Sequence, residues 1–165
     1  FPDVMTESTY AYHLEVIANI TLWHPIADQQ PQTIIHADYN PRNMGLTYRQ
    51  QQWRACIIDW EAARVGIPQF DIAQFILYVS QPHNVIANME QLLPLAWEQM
   101  QLLSATQIDY AYWQQGFVSA LYMHLINRLP ILCLIFHVYP SHHCNWGVHT
   151  YQNAMILLEH LTKSI

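Results

Sequence analysis

The sequence contains little glycine, little charge and few cysteines. Only four of its 165 residues are glycine and 11% are charged, whereas 52% are hydrophobic. This composition is typical of one globular, helix-rich domain with a proper core, and it excludes a long disordered chain. The formal net charge of -6 argues against a surface for nucleic acid or anionic membrane, because both require clustered lysine and arginine.

The three cysteines, Cys56, Cys133 and Cys144, include no close pair and predict no disulfide framework. A reducing, cytoplasmic location is therefore expected. The longest apolar run, "LPILCLIFHVY" at 129–139, is far shorter than the roughly 20 residues that span a bilayer, so it predicts a buried helix. Because the chain begins without methionine, we expect it to be a fragment or a processed product.

Hydrophobic periodicity predicts one helix, then a small β region with polar loops, then a helical body. The first helix is predicted over 8–23, with Pro25 and Pro31 bracketing a short linker. "TIIH" at 33–36 predicts a short buried strand, and "MGLTYR" and "WRACIIDW" predict a hairpin joined by glutamines.

The rest of the chain is predicted to be helical. Proline positions suggest that the first of these helices starts at Pro68 and that the second is kinked or split at Pro94. Thr106 and Asp109 resemble a capping box at the start of the third. The predicted helices span 68–80, 84–103, 106–128, 130–139 and 147–163.

A polar loop in "TIIHADYNPRNM", at 33–44, carries His36, Asp38 and Asn43. A carboxylate held there could orient a hydroxyl and accept its proton, and an amide five residues later could ligate a hard cation. Asp59 ends the apolar strand "ACIID", which would hold its carboxylate rigidly at an edge. Two carboxylates and an amide oxygen on neighbouring strand ends would suit Mg²⁺. An ordinary turn is the alternative, since Asx residues beside proline also form turns.

Three linked motifs resemble a known family. "HADYNPRN" at 36–43 keeps the spacing of the protein-kinase signature H-R-D-x-x-x-x-N, and "IDW" at 58–60 stands where D-F-G would follow. "GIPQFDIA" at 66–73 matches a G-x-P-x-x-D-[IL]-A segment. This combination resembles the aminoglycoside phosphotransferase and choline-kinase-like enzymes. The resemblance is specific over 33–76 and general in the helical remainder.

The resemblance implies a role for each matching residue. Asp38 would be the catalytic base or hydroxyl-orienting residue, and His36 would support the same catalytic loop. Asn43 and Asp59 would hold Mg²⁺ on the phosphates of ATP or another nucleoside triphosphate. Asp71 would hydrogen-bond the loop amides, its alternative being a simple charge at a helix start.

Three further residues are candidates for a substrate pocket. Glu61 follows the metal-binding motif, with a solvent-facing position as its alternative. Tyr112 and Trp113 belong to an aromatic helix in the region that carries the acceptor pocket in such enzymes, and aromatic faces bind cations. Core packing is the alternative for both.

The expected fold is α+β and predominantly helical: the C-terminal lobe of a protein-kinase-like fold, with a small β-hairpin carrying the catalytic and metal loops. Residues 1–165 would form this single lobe. No glycine-rich loop or strand lysine precedes the catalytic loop, so the N-terminal nucleotide-binding lobe is expected to be missing from the chain. Trp60 in place of phenylalanine, and no A-P-E segment, favour a small-molecule kinase over a protein kinase.

The predicted function is ATP-dependent transfer of a phosphoryl group to a hydroxyl of an aminoglycoside-, choline- or sugar-like small molecule. The isolated lobe is expected to be inactive. A non-catalytic kinase-like binding or sensor module is the alternative. Zinc ligation by the histidine-rich segment 137–149 is chemically feasible, but its spacings fit no standard finger, and a link between two helices is the preferred interpretation.

Overall fold

The computed structural model describes residues 6–104, 107–138 and 145–163, in which helices predominate and four short strands form a small β region. The helices are α1 Glu7–Ala18, α2 Ile20–Gln29, α3 Pro68–Val79, α4 Val85–Leu103, α5 Tyr110–Asn127, α6 Leu129–Val138 and α7 Asn145–Thr162. The strands are β1 Thr33–Ile35, β2 Met44–Arg49, β3 Gln52–Ile57 and β4 Arg64–Gly66. This is the mostly helical α+β composition predicted above.

The four strands form two separate antiparallel pairs. β2 and β3 form the predicted hairpin, in register from Met44 opposite Ile57 to Arg49 opposite Gln52. Its two-residue turn has positive φ at both Gln50 (51°) and Gln51 (61°), as a type I′ turn requires. β1 pairs with β4. The β1–β4 pair therefore closes the base of the segment that contains the polar loop and the hairpin.

The single helix predicted over 8–23 is wrong, because α1 ends at Ala18 and α2 begins at Ile20. The linker predicted to start at Pro25 is also wrong, since this proline lies inside α2. A proline there removes one hydrogen bond of the helix. Packing against α5 compensates: Trp23 is buried, and the Ser119 hydroxyl donates a hydrogen bond to its carbonyl oxygen at 3.1 Å.

The later helices follow the prediction more closely. α3 begins at Pro68, as predicted, whereas α4 runs through Pro94 without being split. α5 begins at Tyr110 rather than at 106, because Asp109 is its N-cap and accepts a hydrogen bond from the Tyr112 amide at 3.1 Å. Thr106, the other member of the predicted capping box, lies outside the described residues.

The core lies between α3, α5 and α7, with α4 against their side. Its largest fully buried side chains include Ile76, Leu77, Trp113, Phe117, Leu121, Leu157 and Leu158. In the described ranges, no helix combines the length and the apolarity needed to cross a lipid bilayer. The packed pair α3 and α5 forms the rigid support of the polar loop.

Candidate functional site

The polar loop between β1 and β2 is anchored by the first turn of α3. The Asp71 carboxylate accepts hydrogen bonds from the amides of His36 (2.6 Å) and Ala37 (2.9 Å). Burial raises the pKa of Asp71, while these two hydrogen bonds oppose the rise. Ala37 is fully buried and has a φ of 61°, a left-handed conformation that costs a non-glycine residue free energy. The anchored loop therefore stores strain immediately before Asp38.

His36 is buried and uses both ring nitrogens to hold the loop. Its Nε2 lies 2.8 Å from the carbonyl oxygen of Ile58, and its Nδ1 accepts a hydrogen bond from the Asp38 amide at 3.2 Å. A carbonyl can only accept, so the proton resides on Nε2 of a neutral ring. The ring also packs on Trp60, with 4.7 Å between centroids. In this geometry His36 supports the loop and has no nitrogen left for a reacting group.

The Asp38 side chain is 28% exposed, and both of its oxygens accept hydrogen bonds. Oδ1 accepts from Nη1 of Arg128 at 2.8 Å, and from Nε2 of Gln74 at 3.4 Å. Oδ2 accepts from Nδ2 of Asn43 at 2.9 Å. Burial of the carboxyl raises the pKa of Asp38, but the attraction of Arg128 and the hydrogen bonds from Asn43, Arg128 and Asn40 hold it below the ordinary value. Asp38 is therefore a partly exposed, oriented anion.

Sequence reasoning missed two residues of this arrangement, Arg128 and Gln74. Arg128 is the C-cap of α5 and stands 90 residues after Asp38, so no motif spacing connects the two. Gln74 lies on α3 and also accepts a hydrogen bond from the Tyr39 amide at 2.9 Å. Only six residues of the chain are lysine or arginine. That scarcity is the one sequence signal that could have directed attention to Arg128.

Asn43 and Asp59 both lie at the open end of the hairpin, where Asn43 pairs with Ile58, the residue before Asp59. The Ile58 amide donates to the Asn43 carbonyl oxygen at 3.0 Å, which extends the β2–β3 pairing by one residue toward Asp59. The expectation that Asp59 ends a rigid strand is wrong: β3 ends at Ile57, and Asp59 follows it with a φ of 65°. This left-handed residue is exposed, and its carboxylate makes no hydrogen bond to any described residue.

The side-chain oxygens available as metal ligands at this position supply only part of the coordination shell of a magnesium ion. The Asn43 amide nitrogen donates to Asp38, so the amide oxygen is left for a cation, and the Asp59 carboxylate is equally uncommitted. Among the described residues, no cluster of three or more His, Cys, Asp or Glu side chains could hold a metal by itself. Two oxygen ligands suit Mg²⁺ when phosphate and water complete its shell.

The structure does not bring the three candidate pocket residues together. Glu61 is exposed in the short 3₁₀-helix Trp60–Ala62, close to Asp59. Trp113 is completely buried, and Tyr112 is half-buried beside it on α5. Fifteen residues of helix, about 22 Å along the axis, separate Trp113 from the Arg128 that contacts Asp38. A substrate role for all three stays a prediction.

The structure describes only part of the histidine-rich segment 137–149. Positions 139–144 lie outside the described residues, including His142, His143 and Cys144. His149 lies on α7. The metal-binding interpretation of this segment therefore has no described cluster to support it.

The part of the chain that contains the polar loop matches a known family. Residues 7–103 match the model of the phosphotransferase enzyme family, APH. The match extends from the start of α1 to the end of α4, and so includes the polar loop, the hairpin and Asp71. Comparisons with curated proteins and with solved structures gave no match. Since the family match covers more than half of the 165 residues, the chain belongs to the phosphotransferase enzyme family.

Proposed function

We propose that this chain is the catalytic-loop lobe of an ATP-dependent phosphotransferase that phosphorylates a hydroxyl of a small molecule. The observation that supports this function best is the contact between Asp38 and Asn43 at the open end of the hairpin, where the chain continues from the paired Ile58 into Asp59. Membership of a phosphotransferase family supports this reaction class, and so does an oriented carboxylate in contact with Asn43, whose amide oxygen is uncommitted, as is the carboxylate of Asp59.

In this proposal Asp38 orients the acceptor hydroxyl. Its carboxylate is held as an anion by Arg128 and Asn43, so an incoming hydroxyl can donate a hydrogen bond to it and turn its oxygen lone pair toward the γ-phosphorus. Asn43 and Asp59 would hold Mg²⁺, which when bound neutralises charge on the nucleotide phosphates. His36 and Asp71 keep the loop in place while the hydroxyl binds.

We further propose that the chain corresponds to the C-terminal lobe of a protein-kinase-like fold, with the nucleotide-binding lobe outside these residues. The hairpin supports this proposal, because Leu46, Tyr48 and Trp53 leave most of their surface exposed. A two-stranded hairpin is marginal by itself, and a large exposed apolar patch is typical of an interface. The 165-residue chain alone should then fold but transfer no phosphate.

Replacement of Asp38 in the full-length protein tests the proposed function. Asp38→Asn keeps the shape but removes the anionic acceptor, so turnover with the acceptor should fall about a thousandfold. The control is Asp28→Asn, which changes an exposed aspartate on α2 and should leave turnover unchanged. Coupled measurement of ADP release across a panel of hydroxylated acceptors reports the rate. Normal turnover of the Asp38 variant would refute the assignment of Asp38.

Two measurements on the full-length protein distinguish the phosphotransferase from the non-catalytic alternative. Calorimetry should detect binding of Mg²⁺–ATP to the full-length protein, with the acceptor screen showing turnover. Nucleotide binding with no turnover on any acceptor would instead favour a binding or sensor module.

A further inference from the structure

We propose that Arg128 is a positioning residue for phosphoryl transfer, whose guanidinium fork fixes the backbone of Ala37 and the carboxylate of Asp38 in one geometry. This inference rests on the proposed function, because it assigns to Arg128 the task of aiming the residue that orients the acceptor. Arg128 acts through Asp38 and is given no contact with substrate.

The two arms of the fork contact consecutive residues of the loop. Nη1 donates to Oδ1 of Asp38 at 2.8 Å, and Nη2 donates to the carbonyl oxygen of Ala37. A planar guanidinium can make both hydrogen bonds at once, whereas an ammonium has no such fixed fork. The contact therefore fixes the direction of the carboxylate relative to the backbone that carries it.

The loop needs this second attachment because its backbone is strained. Ala37 has a φ of 61°, and Asp71 secures only the amide side of the strained turn. Arg128 secures the carbonyl side. With both attachments in place, the peptide between Ala37 and Asp38 has little freedom to rotate out of the strained conformation.

Arg128 itself stands on a rigid base. Its neighbours Leu125 and Leu129 are buried, and its amide donates to the His124 carbonyl oxygen at 3.0 Å. The His124 ring is buried and lies 2.9 Å from the carbonyl oxygen of Phe70, the residue before Asp71. The end of α5 and the start of α3 thus hold the two anchors of the loop at a fixed separation, as a productive site requires.

The remaining polar groups around Asp38 cannot replace Arg128. Asn43 holds the other carboxylate oxygen, and Gln74 reaches Oδ1 only at 3.4 Å. Both are neutral amides and neither binds the Ala37 carbonyl. Loss of Arg128 should therefore leave the carboxylate held only by the neutral amides of Asn43 and Gln74, while the loop stays attached through Asp71.

The decisive experiment compares Arg128→Lys and Arg128→Met with the wild type in the full-length protein, by steady-state kinetics with Mg²⁺–ATP and the acceptor identified by screening. We expect kcat to fall about 10- to 100-fold in Arg128→Met, the loss associated with one charge-assisted hydrogen bond. KM for ATP should change less than about twofold, because Arg128 touches no nucleotide in this proposal. Arg128→Lys should recover only part of kcat, since it keeps the charge but not the fork.

A matched control removes a different ion pair. Lys163→Met breaks the exposed pair between Lys163 and Glu159 on α7 and should leave kcat unchanged. Addition of millimolar guanidinium to Arg128→Ala, which leaves the space of the side chain vacant, should raise kcat several-fold, which a merely structural role would not produce. Wild-type kcat in any Arg128 variant, or a lowered kcat in Arg128→Ala that guanidinium does not raise, would overturn the proposal.

A second measurement keeps the proposal testable if no acceptor is found. Amide hydrogen exchange should become about tenfold faster at Tyr39 and Asn43 in Arg128→Lys, with α3 and α5 unchanged. Absence of turnover in the wild type would refute the proposed function, whereas unchanged loop exchange would refute the role of Arg128. The two failures are therefore distinguishable, and Arg128→Lys serves both measurements if Arg128→Met does not fold.

Discussion

The described residues that adopt a left-handed backbone conformation are not glycines. The described residues contain four non-glycine positions with positive φ, and no glycine among them has one. Gln50 and Gln51 make the hairpin turn, whereas Ala37 and Asp59 lie at the candidate site. Conformations of this kind persist only where surrounding contacts enforce them, and they concentrate at functional sites. Asp71 and Arg128 supply those contacts at Ala37.

Substitutions at Ala37 test this strain directly. Ala37→Val adds a β-branched side chain to a fully buried left-handed position, so it should lower the free energy of unfolding by at least about 2 kcal/mol. Ala37→Gly should change it by less than about 1 kcal/mol, because relief of strain offsets the greater entropy of glycine in the unfolded chain. Urea denaturation measures both.

The control for Ala37→Val is Ala55→Val on β3. Ala55 is exposed in a regular strand, where valine is well accommodated, and its substitution should be nearly neutral. Equal urea midpoints for the two valine variants would contradict a strained Ala37.

At the scale of elements, α5 connects the body to the site because it packs on α2, α3 and α7. Gly116, near its middle, permits a close approach of two glutamine side chains. A Cβ atom built there would lie 2.6 Å from Nε2 of Gln69 and 2.7 Å from Cδ of Gln30. These amides cannot move aside easily, because Gln69 donates to Gln30 at 2.9 Å and Gln30 donates to the Tyr112 carbonyl oxygen at 2.8 Å.

Gly116→Ala is therefore expected to destabilise the protein. In an exposed helix the same change would raise the free energy of unfolding by about 1 kcal/mol, because alanine has the higher helix propensity. Here overpacking should outweigh that gain and lower the free energy of unfolding by about 1 to 3 kcal/mol. Ala111→Gly, at an exposed position of α5, should cost about 1 kcal/mol and calibrates the propensity effect. A Gly116→Ala variant more stable than the wild type would refute the close packing of the two glutamines.

At the scale of the whole molecule, a buried histidine joins the two central helices. His124 of α5 stacks on Phe70 of α3 with 4.0 Å between ring centroids, and it is almost completely buried. Burial lowers the pKa of His124 to about 4, because the charged form would lose its hydration. Nearby Arg128 and Arg64 lower the pKa further, whereas the hydrogen bond to the Phe70 carbonyl oxygen opposes the shift.

This histidine should make the fold sensitive to mild acid. Between pH 6.5 and about 4 the unfolded chain binds a proton at His124 that the folded chain does not. The contribution of neutral His124 to the free energy of unfolding, about 3 kcal/mol in total, is therefore complete above pH 6.5 and is lost as pH falls toward 4. His124→Gln should flatten the dependence of the unfolding free energy on pH in urea titrations at pH 7.5, 6 and 5.

The exposed His83 provides the comparison, and His83→Gln should retain the acid sensitivity of the wild type. The same pH dependence in the wild type and in His124→Gln would show that this histidine is not the origin of the effect.

What the sequence by itself determined about this protein is local. The hairpin, the start of α3 at Pro68 and the loop with Asp38 and Asn43 follow from alternation, proline geometry and motif spacing within a few residues. The family also follows from local motifs: the resemblance was carried by residues 33–76, and the family match spans 7–103. Such features depend on interactions between near neighbours along the chain, which a short pattern encodes.

Only the tertiary structure decided which distant groups complete the site. Arg128 meets Asp38 across 90 residues because α3 and α5 pack together, and no short pattern encodes that packing. Packing against α5 likewise keeps α2 helical through Pro25. Trp113, which the sequence also allowed as a ligand contact, is buried in the core. Asp59 leaves the strand in a left-handed conformation that its apolar sequence context did not predict. At Pro25 long-range packing outweighs a local preference of about 3 kcal/mol against proline inside a helix, whereas the other local preferences on which sequence reasoning depends are about 1 kcal/mol or less.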